Sequence, residues 1–214
     1  SHQRAAKARS EGFFDEEIIP VEAEQADGKI LTVNQDQAVR EDATVEGMAG
    51  LRPAFKPDGV ITAGNSSPLN AGATSMLLMS RETAKKKDIK PVAPIRSMGF
   101  AGGDPTIMGQ GPVPASKKAL EKAGLKAADI DFWEINEAFC IVALNCIQEL
   151  GLAPEKVNVL GGGTAIGHPL GAPGIRLTGS LARRLTLKGG RYGCAPACVG
   201  GGQGGATSMY REDV

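Results

Sequence analysis

From Val60 onward, short apolar runs alternate with longer segments of helical spacing, a pattern that restricts the chain to a layered α/β arrangement. Apolar runs at 75–79, 92–98, 130–135, 157–160 and 192–197 predict strands. Segments 82–87, 114–123, 137–150 and 174–187, each bounded by Pro, Gly or Asn, predict helices. The preceding stretch is polar and rich in loop residues. It predicts a helix end, two short strands around 18–21 and 29–33 split by Asp27-Gly28, and a short helix over 45–51. Its texture is that of a lid or insertion, and the boundary is placed near residue 69. The segment 137–150 has almost no polar face, which predicts a helix buried on every side between two sheets.

Two reactive side chains sit inside glycine clusters near the end of the chain. His168 lies between Gly167 and Pro169 after Gly161 to Gly163, and Cys198 precedes Gly200 to Gly202. Glycine lets backbone approach a ligand closely, and imidazole and thiol are suited to moving protons near neutral pH. The place of His168, after a strand and before a helix, is where open α/β sheets put their sites. Backbone N–H groups around Gly200 to Gly202 are candidates for an oxyanion hole. Residue chemistry alone leaves a catalytic pair and two structural residues both open. His2, in a polar terminal helix, reads as structural.

Composition removes several other functions. In 214 residues the 24 Lys and Arg balance the 24 Asp and Glu, so no global field draws the chain to nucleic acid or an anionic membrane. Lys85 to Lys87 and Arg183-Arg184 read as solvated helix faces. No apolar run of membrane-spanning length and no secretory leader occurs, which points to a cytoplasmic protein without a membrane span. The start at Ser1, without methionine and within helical sequence, suggests a further portion upstream. Four cysteines are too few for a disulfide framework. Cys194 and Cys198, in a predicted strand, stand roughly 13 Å apart, too far to share a zinc ion, so no metal is expected. Cys140 and Cys146 read as core residues. Gly200, Gly202 and Gly205 formally spell a dinucleotide-binding turn, but a strand-like segment follows where that motif needs a helix.

Asn136-Glu137-Ala138-Phe139, Gly167-His168-Pro169 and Cys198-Val199-Gly200, in that order, resemble the three C-terminal signature blocks of the thiolases. Gly64-Asn65-Ser66-Ser67 with Asn70-Ala71-Gly72-Ala73, and Met108 to Pro114, resemble two further blocks of that family, so the resemblance spans essentially the whole chain. It implies a layered αβαβα fold of two similar halves. The reaction implied is ping-pong acyl transfer between CoA thioesters, as thiolysis of a 3-ketoacyl-CoA or Claisen condensation of acetyl-CoA. By the same resemblance His168 activates a nucleophilic cysteine and helps bind the thioester oxygen, and Asn136 holds an oxyanion-hole water. Cys198 exchanges a proton with the α-carbon, and the Gly200 N–H serves a second oxyanion hole. Arg40 lies against the adenine end of CoA, Ser67 against its pantetheine arm, and Ala138 and Phe139 line the tunnel.

CoA is then substrate and product, with no permanently bound cofactor, in a homo-oligomer. Ala71 and Pro68 depart from the common pattern, which has aspartate and glycine there. A larger departure is that no cysteine here stands in the Cys-Ser-x-Gly type of block that carries the thiolase nucleophile. The chain is therefore expected to be a C-terminal half, with residues 1–69 ending a CoA-binding loop domain and 70–214 forming the C-terminal domain. A missing N-terminal half, on the same or a separate polypeptide, would supply the nucleophile, leaving this chain inactive alone. The alternative is a non-catalytic module that binds acyl-CoA or a subunit. Under the catalytic reading His168 and Cys198 converge within about 4 to 6 Å.

Overall fold

A computed structural model describes residues 1–212. Helix α1 (His2–Ser10) buries Ala5 and Ala8 and leads into a turn where Phe13 and Phe14 pack with Leu160. Strands β1 (Val21–Glu24) and β2 (Ile30–Val33) form an antiparallel hairpin, closed where Gly28 adopts φ +80°, as Asp27-Gly28 predicts. Helix α2 (Val45–Ala49) is capped by the Thr44 hydroxyl, which accepts from the Gly47 N–H.

The strand expected at 75–79 is absent among the described residues. The segment makes no strand ladder, and Leu77 is 78% exposed. The residues have strand character, but a strand exists only against a neighbour that pairs its backbone. Helix α3 (Arg81–Lys86), capped by Ser80, follows; Lys85, Lys86 and Lys87 are solvated there as expected.

The remainder builds one mixed sheet between helices. In chain order come β3 (Ile95–Gly102), α4 (Pro112–Ala123), β4 (Phe132–Trp133), α5 (Cys140–Leu150), α6 (Gly163–Ile166), α7 (Pro173–Lys188), β5 (Tyr192–Val199) and β6 (Gln203–Tyr210). Strand order is β3-β6-β5-β4, with β6 antiparallel to both neighbours and β4 parallel to β5. The run predicted at 157–160 contributes a single parallel bridge, Val157 to Trp133.

Helices α4 and α5 cover one face of the sheet through Ala119, Leu120, Val142, Cys146, Trp133 and Cys194. Helix α7 covers the other through Leu177, Leu181 and Leu185 against Ala195 and Met209. Its amphipathic spacing of apolar residues four apart accounts for that face. Gly99 lets β3 touch α4, since a side-chain carbon there would collide with the backbone of Ala115 and Ala119.

Two expectations need correction. Helix α5 is not enclosed on every side: Val142, Ala143 and Cys146 are buried, but Ile141 and Leu144 are 50% and 58% exposed. Among the described residues a single four-stranded sheet covers one side of it. Arg183 and Arg184 are not a solvated face. Arg183 pairs with Glu16 and Glu17 and lies over the Phe13 ring, while Arg184 stacks 4.7 Å from the Phe132 centroid. Planar guanidinium groups stack on aromatic rings in this way. No helix among the described residues is long and apolar enough to cross a membrane, and no group of three or more His, Cys, Asp or Glu there is placed to hold a metal ion.

Candidate active site

The candidate site gathers where β4 runs out of its ladder and meets the end of β5. After Trp133 the chain stays pinned to β5, since the Glu134 N–H donates to the Cys194 carbonyl and the Asn136 N–H to the Pro196 carbonyl, both at 3.0 Å. This explains why α5 starts at Cys140 rather than at 137: Asn136 to Phe139 remain extended. Asn158, at φ +46°, grips the segment from the side. Its amide oxygen accepts from the Ile135 N–H at 2.7 Å, and its Nδ2 donates to the Ile135 carbonyl and to Glu137 Oε1.

Glu137 lies outside α5 and serves as a link between elements. Its buried carboxylate accepts from Asn158, from the Ser1 hydroxyl at 2.7 Å and from the Thr164 N–H at 3.2 Å. A carboxylate with that many donors is a fixed anchor. It ties together α1, α6 and the segment that carries Asn136.

Asn136 is buried, and its N–H bond to the Pro196 carbonyl holds it beside the β5 segment that carries Cys198. Burial raises the Cys198 pKa above the ordinary thiol value, while bonding from its own backbone offsets part of that rise. Cys198 sits near the end of β5 opposite Gly204, and Gly200 is exposed at the head of the β5-β6 turn. Gly201 and Gly202 take φ near +80°, and the Gly202 carbonyl accepts from Gly103 N–H at 2.8 Å.

His168 is set by α6 and a glycine. Gly167 follows α6 at φ +105°, ψ 164°, a conformation open to glycine, and a side-chain carbon there would strike the Asn70 side chain at 2.6 Å. The His168 N–H donates to Asn70 Oδ1 at 3.3 Å. The ring is half-buried, and its Nδ1 is buried without a hydrogen-bond partner. Burial, and then the charge of Arg176, lower its pKa below the ordinary histidine value. The imidazole is therefore neutral near pH 7, the form that accepts a proton.

Ser67, Ala138 and Phe139 come together. Ser66 bridges Phe139 as in an antiparallel ladder, and the Ser67 hydroxyl and N–H both donate to the Ala138 carbonyl. Phe139 also meets the Phe55 ring edge-on at 6.0 Å. Arg40 is exposed and anchored instead at α1, where its N–H donates to His2 Nδ1 at 3.1 Å. His2 is structural, as expected.

The other thiols are poorly suited to nucleophilic work. Burial pushes Cys146 and Cys194 up to about 12 and raises Cys140, whose sulfur lies 3.2 Å from the Thr164 hydroxyl. Sequence reasoning passed over Glu134, Asn158, Arg176 and the role of Asn70. A charged residue inside the apolar run 130–135 was the available signal for Glu134. Asn158 and Arg176 offered no comparable signal.

Residues 89–211 match the family described as "Thiolase, C-terminal domain", and residues 1–82 match "Thiolase, N-terminal domain". The chain belongs to the thiolase family. It is 48% identical to a 3-ketoacyl-CoA thiolase of Aliivibrio fischeri and 49% to one of Salmonella typhimurium, covering 99% of this chain and 56% of each relative. Among solved thiolases, the acetyl-CoA acetyltransferase of Bacillus anthracis superposes with a TM-score of 0.94 at 46% identity, over 98% of this chain and 53% of that one. Human mitochondrial 3-ketoacyl-CoA thiolase in complex with CoA superposes at 0.88 and 39% identity, over 99% and 52%.

The layered αβαβα α/β fold class is therefore that of the thiolases. The chain spans about half the length of the curated relatives it matches. The expectation of a C-terminal half with the N-terminal half missing is not supported as stated, because residues 1–82 match the N-terminal domain family. Inactivity of the chain, which rested on that expectation, is unsupported with it.

Proposed function

We propose that this chain takes part in acyl transfer between CoA thioesters, as thiolysis of a 3-ketoacyl-CoA or, in reverse, condensation of two acetyl-CoA molecules. The observation that carries the reading is the buried Asn136, pinned by its N–H to the Pro196 carbonyl two residues before a Cys198 thiol that burial keeps protonated, on a scaffold that also presents a half-buried imidazole at His168. In thiolysis a cysteine thiolate adds to the 3-keto carbonyl and the C–C bond breaks. The departing acetyl-CoA enolate takes its proton from Cys198, and the CoA thiol then receives the acyl group. A thiol kept protonated by burial is suited to that donation. In condensation the Cys198 thiolate removes the same proton.

His168 takes the proton of the nucleophilic cysteine and donates to the thioester oxygen. Asn136 holds an oxyanion-hole water, and the Gly200 N–H stabilises the second oxyanion, with His168 and Cys198 converging within about 4 to 6 Å. Ser67, Ala138 and Phe139 line the path of the pantetheine arm, and Arg40 meets the adenine end. The CoA complex of the human relative supports CoA as the ligand class. The reading assigns residues 1–69 to the CoA-binding loop domain and 70–214 to the C-terminal domain of a cytoplasmic homo-oligomer acting in fatty acid metabolism. The acyl carrier is assigned to a cysteine in a Cys-Ser-x-Gly block, which these 214 residues do not contain.

Thiolysis is measured for the chain alone and mixed with a polypeptide bearing such a block. Turnover in either preparation supports acyl transfer, and turnover by the chain alone overturns the assignment of the acyl carrier to such a block. In the active mixture Cys198→Ala should abolish exchange of the acetyl-CoA α-protons with D2O while acyl-enzyme still forms. Calorimetric CoA binding without turnover in either preparation would instead point to a non-catalytic module that binds acyl-CoA.

A further inference from the structure

Asn70, Gly72, Thr74 and Met76 touch the stretch that carries His168, in the same order along both segments. Asn70 Oδ1 accepts from the His168 N–H at 3.3 Å, and a side-chain carbon on Gly167 would strike the same oxygen at 2.6 Å, so the carboxamide fills the space beside Gly167. A side-chain carbon on Gly72 would strike Pro169 Cγ at 2.8 Å. The Thr74 hydroxyl donates to the Ala172 carbonyl at 3.0 Å, and Met76 Cε lies 3.7 Å from the place of a side-chain carbon on Gly179. The contacts recur at every second residue, the period with which side chains share one face of a strand. One face of 70–76 therefore lies along the His168 loop and the first half of α7, although no ladder forms there.

His168 has little local support of its own. Pro169 restricts the backbone of the residue before it, whereas Gly167, at φ +105° and ψ 164°, has the broad freedom of glycine and is the soft joint of the loop. Helix α6 before it has four residues and holds Gly167 through its N–H bond to the Gly163 carbonyl at 3.0 Å. Asn70 closes on this joint from outside, covering Gly167 and accepting the N–H that follows it. We propose that Asn70 is the positioning residue for His168, locking the Gly167 joint so that the imidazole is presented in one orientation. The lock joins residues 98 apart in the chain, which α3 separates. Its consequence for turnover rests on the acyl-transfer reading of His168. In that reading the imidazole must meet both the cysteine proton and the thioester oxygen, and a displacement of about 1 Å costs about a hundredfold in rate.

Amide hydrogen exchange reads the lock without turnover. The chain has two histidines, so histidine-selective 15N labelling of the 214-residue chain gives two backbone amide signals, which His2→Gln assigns. Asn70→Leu keeps the volume and removes the acceptor, and should speed exchange of the His168 amide roughly tenfold, the worth of one hydrogen bond. Asn70→Asp keeps the acceptor and should hold the parental rate. If Asn70→Leu does not fold, as spectral dispersion will show, Asn70→Ala removes the same oxygen and gives the same measurement. An unchanged rate without the acceptor, or equal acceleration in the Asp variant, overturns the proposal. In whichever preparation carries out thiolysis, Asn70→Leu should lower kcat by about ten- to a hundredfold with the KM for CoA unchanged. Asn70→Asp should restore kcat on the plateau of its pH profile. A raised KM with kcat intact, or an Asp variant as slow as the Leu variant, overturns the link to catalysis. Faster exchange in a chain that turns over in no preparation keeps the lock and removes the acyl-transfer reading instead.

Discussion

Residues 95–210 and residues 1–80 meet the same demand, pairing backbone polar groups and hiding apolar surface, by different means. In the first region four strands pair with one another and two helical layers close both faces, so Trp133, Leu181 and Cys194 are fully buried by their own neighbours. In the second the hairpin β1-β2 pairs only with itself and leaves Ile30 61% exposed, and Leu69 is 91% exposed. Two strands alone are barely stable in water. What orders this region is its attachment to the sheet domain. Arg4 donates to the Val157 carbonyl, Ser1 to Glu137, and Phe13 and Phe14 pack on Leu160. The candidate site lies where the regions meet, with Ser67 and Asn70 from one and Asn136, His168 and Cys198 from the other.

Breaking the self-sufficient region should cost most. Trp133→Ala opens a cavity in the core between the sheet and helices α4 and α5 and should lower stability by about 3–5 kcal/mol, read from urea unfolding. A Trp133→Ala protein as stable as the parent would remove the distinction between the regions. Asn158→Ala strips three hydrogen bonds from Ile135 and Glu137, at about 1–3 kcal/mol. It should also loosen α1, seen as faster amide exchange there than in β5. Exchange rising equally in both would show that α1 is not hung from this anchor.

Acidity sharpens the same contrast, because burial raises the Glu134 carboxyl from 4.5 to about 8 against the pull of Arg176. The folded state therefore binds the proton more tightly than the unfolded chain. This stabilisation is complete below about 4.5 and is lost as pH rises through about 8. Glu134→Gln should flatten that part of the stability profile, measured by thermal melts from pH 5 to 9. An unchanged slope would place the titration elsewhere. The smallest effect belongs to the hairpin, where Ile30→Ser should change stability by no more than about 0.5 kcal/mol. A larger loss would show that the hairpin carries more of the fold than its exposure indicates.

Much of the sheet domain was legible in the sequence. Helices α4 and α7 and strand β5 lie within a few residues of their expected bounds, because Pro and Gly punctuate them and their apolar spacing is regular. Three features were not legible. Segment 75–79 has the composition of a strand but no partner among the described residues. Helix α5 is apolar all round yet buries one side. Glu137 sits inside an expected helix but serves as an anchor between elements distant in sequence.

The sequence by itself determined the family and the layered α/β class and pointed to Asn136, His168 and Cys198 as candidates, since these depend on local spacing and residue chemistry. Tertiary structure decided that Asn136 is pinned to the Pro196 carbonyl of β5, that Ser67 lies on Ala138, that Arg40 is held at α1, and that Arg176 meets Glu134. These are contacts between segments far apart in the chain. Their distances and burial arise only when the sheet closes, and with them the electrostatics that govern each proton.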